Sequence, residues 1–479
     1  MTTLFIWPSN LVLNILKKSN KKFISIKSDN LIEICEGDKI IKKFYLQDLE
    51  ICYFDKTKIE KILKELEHYS PIFSRWVHKA HTHELLKEKY VFDILRIINL
   101  LQTYNVKNGF FLTGLTHHLD SLCFEIALKT LGIKQIFLYP ILESGRLMPF
   151  LQKNGFPTRK RFKKKISKFK FDEILERIAN NAKVKKPIKF KQKFNNFLKS
   201  NYYFSFCYLV LRKFKIIIQK LLKLKNDKSN LNFNNYFSET LISDFELISN
   251  QREYLKEYIK ETKKNNTKKT KKVSLLIPAH FQPEGTSFPM SGSIHSYLYI
   301  VSHLRSIGVK NKIFFKEHPQ TKTFIASDNL NVFFTFPTRV GINRNKRYLD
   351  ELKKLNLVFL SMDKDLFDYQ YFLPITLVGS IAFERSLNGL HTIYTGYPWW
   401  AGLPGTINLN KCDFDLDNIP RELVIPDKEI AKKSKEFLIN ILNEKTLENC
   451  FNIGNIDKKI ITNEFYSEFD LLLKKIDKL

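Results

Sequence analysis

Residues 109–139 read GFFLTGLTHHLDSLCFEIALKTLGIKQIFLY, and this stretch decides the fold class. It begins with one apolar run, at 109–112, and ends with another, at 135–139. Between them, residues 120–131 carry apolar side chains at helical spacing, and Gly132 is a typical helix stop. A strand, a helix and a second strand at this spacing form a βαβ unit, which implies a parallel sheet. The sequence therefore predicts an α/β fold.

The same alternation extends along the chain. Before this unit we predict strands at 4–7, 23–26 and 51–54, and helices at 58–68 and 90–104, the latter burying Ile94, Ile97, Ile98 and Leu101. Further strands are predicted at 273–277, 312–315, 330–334, 357–360, 373–378 and 392–394. We expect two Rossmann-like domains facing each other across a cleft, at 1–152 and 271–479. A basic, largely helical insertion and linker at 153–270 would separate them.

Length and composition limit the class of protein. A chain of 479 residues with 44% hydrophobic and 14% aromatic content has enough apolar side chains for two cores. None of the six cysteines forms a CxxC pair, so neither a zinc site nor a disulfide framework is expected. The N-terminus lacks a basic n-region, and no uninterrupted apolar stretch approaches about 18 residues. We expect a cytoplasmic protein with no signal peptide and no membrane span.

The positive charge is concentrated in one segment. Residues 153–225 hold 23 Lys and Arg against 3 Asp and Glu, which accounts for +20 of the net +30. Two explanations of this charge remain open. An AT-rich genome favours lysine codons, and a basic segment could contact an anionic inner-membrane surface. Within the segment, residues 213–225 alternate lysines with apolar residues, from Phe214 to Leu224. This amphipathic pattern is typical either of an interfacial helix or of a helix that packs on a domain while its lysines stay solvated.

Three short motifs follow predicted strands in the second half of the chain. They are Pro278-Ala-His-Phe-Gln-Pro-Glu284, Lys316-Glu-His-Pro-Gln320 and Gly379-Ser-Ile-Ala-Phe-Glu384. In open α/β sheets, ligands bind in the crevice beyond the carboxyl ends of the strands. We therefore expect the three motifs to form one site.

The residue types in these motifs suit a nucleotide phosphate. An imidazole at His318, with Lys316 close in sequence and Pro319 restricting the turn, could donate to a phosphate oxygen. Ser380 begins a helix predicted at 381–388, whose N-terminal amides and dipole would favour an anion, and Glu384 would accept ribose hydroxyls. The alternative is structural: Ser380 is an N-cap and Glu384 completes the capping arrangement. His318 would then be an ordinary structural histidine.

Two further groups of residues are candidates for the cleft. The loop at 396–405 contains Trp399 and Trp400, which would form a stacking wall for a base or sugar if exposed, or would pack between domains if buried. In the first half, His117, His118 and Asp120 follow one strand, and Glu143 follows the next. These side chains are candidate bases, nucleophiles or acceptor-orienting groups.

The motifs resemble those of a known family. The segments His280-Phe-Gln-Pro-Glu-Gly-Thr-Ser-Phe-Pro-Met-Ser-Gly292, Phe315-Lys-Glu-His-Pro-Gln320 and Val378-Gly-Ser-Ile-Ala-Phe-Glu384 carry the resemblance. They look like those of the bacterial capsule and surface-polysaccharide biosynthesis proteins related to the Kdo (3-deoxy-manno-octulosonate) transferases. The His-Pro and Ser motifs are also similar to those of bacterial sialyltransferases and polysialyltransferases. The segment Glu143-Ser-Gly-Arg-Leu-Met-Pro149 resembles an element in the family's amino-terminal half.

The resemblance implies a GT-B type glycosyltransferase with a donor that is commonly a CMP-activated acidic sugar. The first domain would hold the acceptor and the second the nucleotide sugar. His318 and Ser380 would contact the CMP phosphate, and Glu384 would hold the nucleotide. The remaining nucleotide-site residues would be Lys316, Pro319, Gly379, Gln282 and His280. The candidate catalytic residues are Glu143, Asp120, His118 and Glu284.

The expected partners follow from this implied activity. They are a nucleotide-sugar donor and a polysaccharide or glycolipid acceptor, with peripheral contact to the inner membrane; no cofactor, metal or nucleic acid is expected. Two other functions remain open. One is polyol-phosphate transfer of the teichoic-acid type, which also has a CDP or CMP leaving group. The other is a non-enzymatic basic protein associated with membrane or nucleic acid, for which the +20 segment would be responsible.

Overall fold

The computed structural model describes residues 2–6, 13, 16–17, 22–26, 31–51, 55–69, 80–111, 119–141, 146–153, 156–159, 190–221, 244–264, 272–281, 296–326, 336–338, 340–363, 371–445 and 447–448. Over these ranges it has a mixed α/β fold with two large sheets. That arrangement is compatible with two Rossmann-like domains. That the two domains face each other across a cleft stays a prediction, as do the boundaries at 152 and 270.

The first half of the chain forms a nine-stranded sheet. Its elements in chain order are β1 Thr2–Ile6, β2 Lys22–Ile26, β3 Leu31–Glu36, β4 Lys39–Tyr45, α1 Lys56–His68, α2 Ala80–Thr103, β5 Val106–Phe111, α3 Leu119–Thr130, β6 Lys134–Ile141, β7 Arg146–Lys153 and β8 Phe156–Arg159. The strand order is β17-β7-β6-β5-β1-β2-β3-β4, where β17 is Leu447–Glu448 near the end of the chain, and β8 pairs with β7. The four central strands, β6, β5, β1 and β2, are parallel, and antiparallel strands flank them on both sides.

The predicted βαβ unit is confirmed. β5 and β6 pair in parallel with α3 between them, in register from Asn108↔Lys134 to Phe111↔Phe137. The predicted inner face of α2 is also confirmed, since Ile94, Ile97, Ile98 and Leu101 are all buried. The antiparallel pair β3 and β4 was not predicted. Its turn contains Gly37 at φ +59, a backbone conformation that favours glycine. The strand predicted at 51–54 is wrong at Ile51, and residues 52–54 lie outside the described residues.

In the described part of the chain between the two sheets there are three helices. They are α4 Phe190–Ser200, α5 Tyr202–Leu221 and α6 Asp244–Lys264. α6 packs against elements of the second sheet's unit, including the strand at 357–360 and the helix at 346–354. Among the described helices, none combines the length and the apolar character needed to cross a bilayer.

The second half of the chain forms a six-stranded sheet in which every pairing is parallel. Its elements are β9 Ser274–Pro278, α7 Tyr297–Ser306, β10 Ile313–Lys316, β11 Ile325–Ala326, β12 Phe336–Pro337, α8 Val340–Asn343, α9 Lys346–Lys354, β13 Leu357–Leu360, β14 Phe372–Thr376, α10 Ile381–Ser386, β15 Thr392–Tyr394, β16 Thr406–Asn408 and α11 Lys428–Lys445. The strand order is β13-β10-β9-β14-β15-β16, and β11 and β12 form a separate hairpin. β9, β10, β13, β14 and β15 correspond to predicted strands; the strand predicted at 330–334 lies outside the described residues.

The glycine- and tryptophan-rich loop at 396–405 is part of the core. Trp400 is fully buried, with its ring 5.2 Å from that of Tyr394, and Trp399 is buried 5.9 Å from Phe383. The stacking wall of exposed tryptophans is therefore wrong. Two of its glycines allow backbone conformations that other residues rarely adopt, since Gly402 and Gly405 have φ angles of +87 and +72.

Candidate functional site

The three motifs meet at one edge of the second sheet. β10, β9 and β14 are neighbours, paired in parallel through Phe315↔Ile277 and Leu373↔Leu275. The chain leaves each of these strands at its carboxyl end and enters a motif. The three motifs thus follow neighbouring parallel strands, and their first residues lie at the edge at which open α/β sheets bind ligands. That they form one site stays a prediction.

A hydrogen-bonded chain joins the first motif to the third. The imidazole Nε2 of His280 lies 3.1 Å from Thr376 Oγ1, and the same hydroxyl oxygen accepts a 3.0 Å hydrogen bond from the Gly379 amide. A Cβ at residue 379 would lie 2.6 Å from Thr376 Oγ1 and 2.9 Å from His280 Nε2. Glycine is therefore required here by the close approach of two side chains to the backbone.

The backbone of His280 is held by a buried phenol. Its amide donates to the Tyr297 hydroxyl oxygen over 2.7 Å, and that hydroxyl lies 3.4 Å from the Pro278 carbonyl oxygen. Burial raises the pKa of Tyr297 well above its usual value, so the phenol stays protonated. α7, which contributes Tyr297, thus positions the loop after β9.

His318 begins a 3₁₀ turn formed by Pro319–Lys322. Its Nδ1 accepts a 3.2 Å hydrogen bond from the Gln320 amide. In the neutral imidazole one nitrogen accepts and the other carries the proton, so this bond assigns the proton to Nε2. The His318 ring also lies 5.9 Å from Phe281, which connects the second motif to the first. The geometry supplies an N–H donor of the kind predicted for a phosphate oxygen.

A buried ion pair anchors the turn immediately before His318. Glu317 is completely buried, and its carboxylate accepts from Arg344 Nε at 2.5 Å and from the Tyr254 hydroxyl at 2.6 Å. It also accepts from the His318 amide at 2.9 Å. The amide of Glu317 itself donates to the Tyr258 hydroxyl at 2.9 Å. Every one of these bonds limits the positions that the His318 backbone can take.

The pKa values in this cluster favour the protonated, hydrogen-bond-donating forms of the groups around Glu317. Burial, and then the Glu317 carboxylate, raise the pKa of Tyr254 well above its usual value. Burial alone would lower the pKa of Arg344, but the Glu317 carboxylate more than compensates and raises it. Burial also raises the pKa of Tyr348, whose ring lies 4.6 Å from the Arg344 guanidinium, to about 12. The Arg344 guanidinium therefore stays charged, and the Tyr254 and Tyr348 phenols stay protonated near neutral pH.

Helix α6 supports the same turn, and sequence reasoning missed it. Gln251, Tyr254 and Tyr258 all contact the segment after β10, with Gln251 Nε2 donating to the carbonyl oxygens of Thr321 and Thr323 at 2.7 and 2.8 Å. The spacing of these three residues, at i, i+3 and i+7, is a signal that could have found this face. Their position within the segment predicted as insertion and linker concealed it.

The start of the third motif differs from a capping arrangement. Ser380 is exposed, has helical backbone angles and makes no side-chain cap hydrogen bond, so the N-cap interpretation is wrong. α10 ends at Ser386 and spans fewer than two turns, which is shorter than the predicted 381–388 helix. Glu384 is partly buried in its first turn, and the Glu384 amide donates to the Ser380 carbonyl oxygen.

The other predicted site residues have varied positions. Lys316 is the last residue of β10 and is buried, with its carbonyl oxygen accepting from the Ala279 amide at 2.8 Å. Asp120 is the second residue of α3. His117, His118, Glu143, Gln282 and Glu284 lie outside the described residues. The loops that contain the first three begin after β5 and β6, which are parallel neighbours.

Aspartate pairs of the Asp-x-Asp type occur in the chain, and the aspartates that the structure describes have other partners. Asp417, in the run Asp413-Phe-Asp-Leu-Asp417, accepts hydrogen bonds from the Lys310 and Asn311 amides at 2.8 and 2.7 Å. Asp415 accepts from the Asp417 amide, and Asp363 pairs with Lys322 Nζ at 2.5 Å. Among the described residues, no cluster of three or more His, Cys, Asp or Glu forms a metal-binding group.

Thr376→Val is expected to lower the free energy of unfolding by about 1–3 kcal/mol, because the Gly379 amide and the His280 imidazole lose a buried partner. Thr376→Ser keeps the hydroxyl and should lose less. The matched control is Thr392→Val in β15, whose buried hydroxyl has no hydrogen-bond partner in the described part of the chain and should tolerate the change. Urea unfolding of the three variants measures this. Equal losses for Thr376→Val and Thr392→Val would contradict the role of the Thr376 hydroxyl.

No family model matches the chain, and no curated protein matches it either. Among solved structures, it is similar to Thermosulfurimonas dismutans KpsC, a beta Kdo 2,7 transferase, at a TM-score of 0.23 and 14% sequence identity. The alignment covers 40% of this chain and 62% of the KpsC chain, so it spans less than two thirds of that structure. At this TM-score the likeness carries no argument about fold or activity.

Proposed function

We propose that this protein is a glycosyltransferase that moves a sugar from a nucleotide donor onto a capsular or surface polysaccharide or its lipid-linked precursor. The donor would be a CMP-linked acidic sugar such as Kdo or a sialic-acid-like sugar. One observation carries the proposal: the three motifs follow the neighbouring strands β10, β9 and β14, and the His280–Thr376–Gly379 hydrogen bonds tie two of them together.

The arrangement suits stabilisation of a departing phosphate. β9 lies between β10 and β14, so the ends of those two strands are about 10 Å apart, at roughly 4.8 Å per strand. A phosphate over the end of β9 would lie beside His280, within reach of the His318 imidazole on one side and the exposed Ser380 hydroxyl on the other. As the bond from the anomeric carbon to the phosphate oxygen breaks, its electron pair stays on the nucleotide. A donor at His318 Nε2 stabilises that developing charge.

The acceptor would approach from the first domain, across the proposed cleft. Its hydroxyl oxygen forms the new bond to the anomeric carbon and releases its proton to a general base. Glu143, Asp120, His118 and Glu284 are the proposed groups for this step and for orienting the acceptor. Gln282, Lys316, Pro319 and Glu384 complete the proposed nucleotide site.

The first experiment is ligand-induced stabilisation of the full chain by CMP, compared with UDP and GDP. CMP at about 100 times its dissociation constant should raise the melting temperature by on the order of 5 °C. Ser380→Ala should lose this shift in melting temperature. The control is His303→Ala, which replaces a partly buried histidine on α7 and should keep the shift. Stabilisation by UDP or GDP but not by CMP would overturn the assignment of the nucleotide.

The second experiment separates sugar transfer from polyol-phosphate transfer. A CMP-linked acidic sugar and CDP-glycerol are supplied side by side with a polysaccharide acceptor, and the products are identified by mass spectrometry. Transfer of the sugar supports the proposal. Transfer of glycerol phosphate would instead favour the teichoic-acid type of reaction.

A further inference from the structure

Helix α5, Tyr202–Leu221, presents an exposed stripe of apolar side chains. Tyr203, Leu211 and Phe214 are 67%, 59% and 61% exposed, and Phe206 and Cys207 between them are exposed as well. These positions recur every three or four residues, so they lie along one face of the helix. Monomeric proteins rarely leave such a contiguous apolar strip in water without a partner.

The opposite face of the helix is fixed to the protein. Ser205, Tyr208 and Leu209 are buried. Phe206, at the edge of the stripe, has its ring 4.9 Å from that of Phe245 on α6, and the Tyr202 ring is 5.8 Å from Phe324. The stripe is therefore the outer surface of an anchored helix, and a change of helix orientation is not needed to present it.

The sequence of the two helices around the stripe is strongly basic. Residues 190–221, which form α4 and α5, contain seven Lys and Arg and no Asp or Glu. At the start of the stripe, the Arg252 guanidinium lies 4.2 Å from the Tyr202 ring and 5.0 Å from the Tyr203 ring, and it donates to the Tyr203 hydroxyl at 3.0 Å. Phe197 on α4, which is 63% exposed, adds a further apolar side chain. The partner must therefore combine an apolar phase with negative charge.

We propose that this face of α5 lies on an anionic phospholipid surface. The stripe would enter the boundary between headgroups and acyl chains, and the lysines and arginines would contact the headgroup phosphates. Duplex nucleic acid satisfies the cations through its phosphates, but it offers no apolar phase to side chains such as Leu211 and Phe214. A second copy of the chain satisfies the apolar stripe, but it would bring two copies of the same basic segment together. The inference is independent of the reaction proposed above.

The location refines what the sequence suggested. The amphipathic pattern there centres on 213–225, of which only the side chain of Phe214 is described. The structure shows the exposed apolar face one to three turns earlier, from Tyr203 to Phe214, a span in which Arg212 and Lys213 are the only basic residues.

The test is co-sedimentation of the full chain with vesicles of phosphatidylcholine alone or mixed with phosphatidylglycerol. Wild type should bind the mixed vesicles. Leu211→Glu with Phe214→Glu should bind them more than about tenfold more weakly, because two apolar insertions are lost and two like charges are added. The matched control is Ile41→Glu, an exposed apolar residue among the lysines of β4, which should bind as wild type does.

Cys207, which lies on the stripe, gives a second measurement in the unmodified protein. Mixed vesicles should slow alkylation of its thiol by a water-soluble maleimide, read by peptide mass spectrometry, while neutral vesicles should not. Equal binding of wild type and the double variant overturns the proposal. Two further results would also overturn it. One is tight binding to nucleic acid that displaces the protein from vesicles. The other is that the wild type is a dimer, the double variant is a monomer, and neither binds vesicles.

Discussion

Glu317→Ala should lower the free energy of unfolding by about 3–5 kcal/mol. Glu317 and Arg344 are 0% and 3% exposed at their side chains, so removing the carboxylate leaves a buried guanidinium without its counter-charge. The Tyr254 hydroxyl and the His318 amide lose their acceptor at the same time. Equilibrium unfolding in urea, followed by circular dichroism, measures the loss.

Two controls separate this effect from a general loss of charge. Glu351→Ala breaks an exposed ion pair with Lys354 and should cost less than about 1 kcal/mol. Glu317→Gln combined with Arg344→Met removes both buried charges and should cost less than Glu317→Gln alone, since the two changes share one interaction. If the double variant were as unstable as the sum of the single variants, the ion pair would not be the anchor of this turn.

His318→Asn should reduce sugar transfer roughly 100- to 1,000-fold while the protein keeps its stability. Asparagine is a good N-cap residue, so it can still accept from the Gln320 amide at the start of the Pro319–Lys322 turn. Its Nδ2 amide is a donor too, but the side chain is shorter, so no N–H reaches the position that the imidazole Nε2 occupies. If His318 only caps the turn, asparagine should restore turnover. If His318 donates to the phosphate, turnover should stay low.

The measurement is turnover of the donor that proves active, together with the CMP-induced melting shift. His318→Ala should lose the same activity and in addition about 0.5–2 kcal/mol of stability from the missing cap. His303→Ala, in the same domain, should keep wild-type turnover. Full turnover by His318→Asn would remove His318 from the proposed reaction.

The parts of the fold that could be predicted are those encoded by local pattern. The βαβ unit of β5, α3 and β6 follows from two apolar runs and the stop at Gly132, which adopts φ +66. The strands of the second sheet follow from short buried runs such as Ile313–Lys316, and their motifs follow because ligand loops lie at the carboxyl ends of parallel strands. Where a segment lacked such a pattern, as in the exposed, lysine-rich strand β4, the prediction failed.

The supports of the site could not be predicted from local pattern. Thr376 is a polar residue in an otherwise apolar strand, which signals a buried partner but does not identify His280, 96 residues away. Glu317 lies inside a quoted motif, yet its partners come from α6 and from Arg344. For Trp399 and Trp400 the glycine- and proline-rich loop left exposure and burial open, and tertiary packing decided for burial.

The sequence by itself determined the α/β class, the parallel strands and the three motifs that follow them, because apolar periodicity and glycine placement act over a few residues. Only the tertiary structure decided which side chains meet: His280 with Thr376 and Gly379, Glu317 with Arg344, and the outward stripe of α5. The physical reason is that a buried charge or polar group must find its partner wherever the chain brings one. That pairing depends on the order of strands in the sheet and on the packing of α6, which no local pattern records.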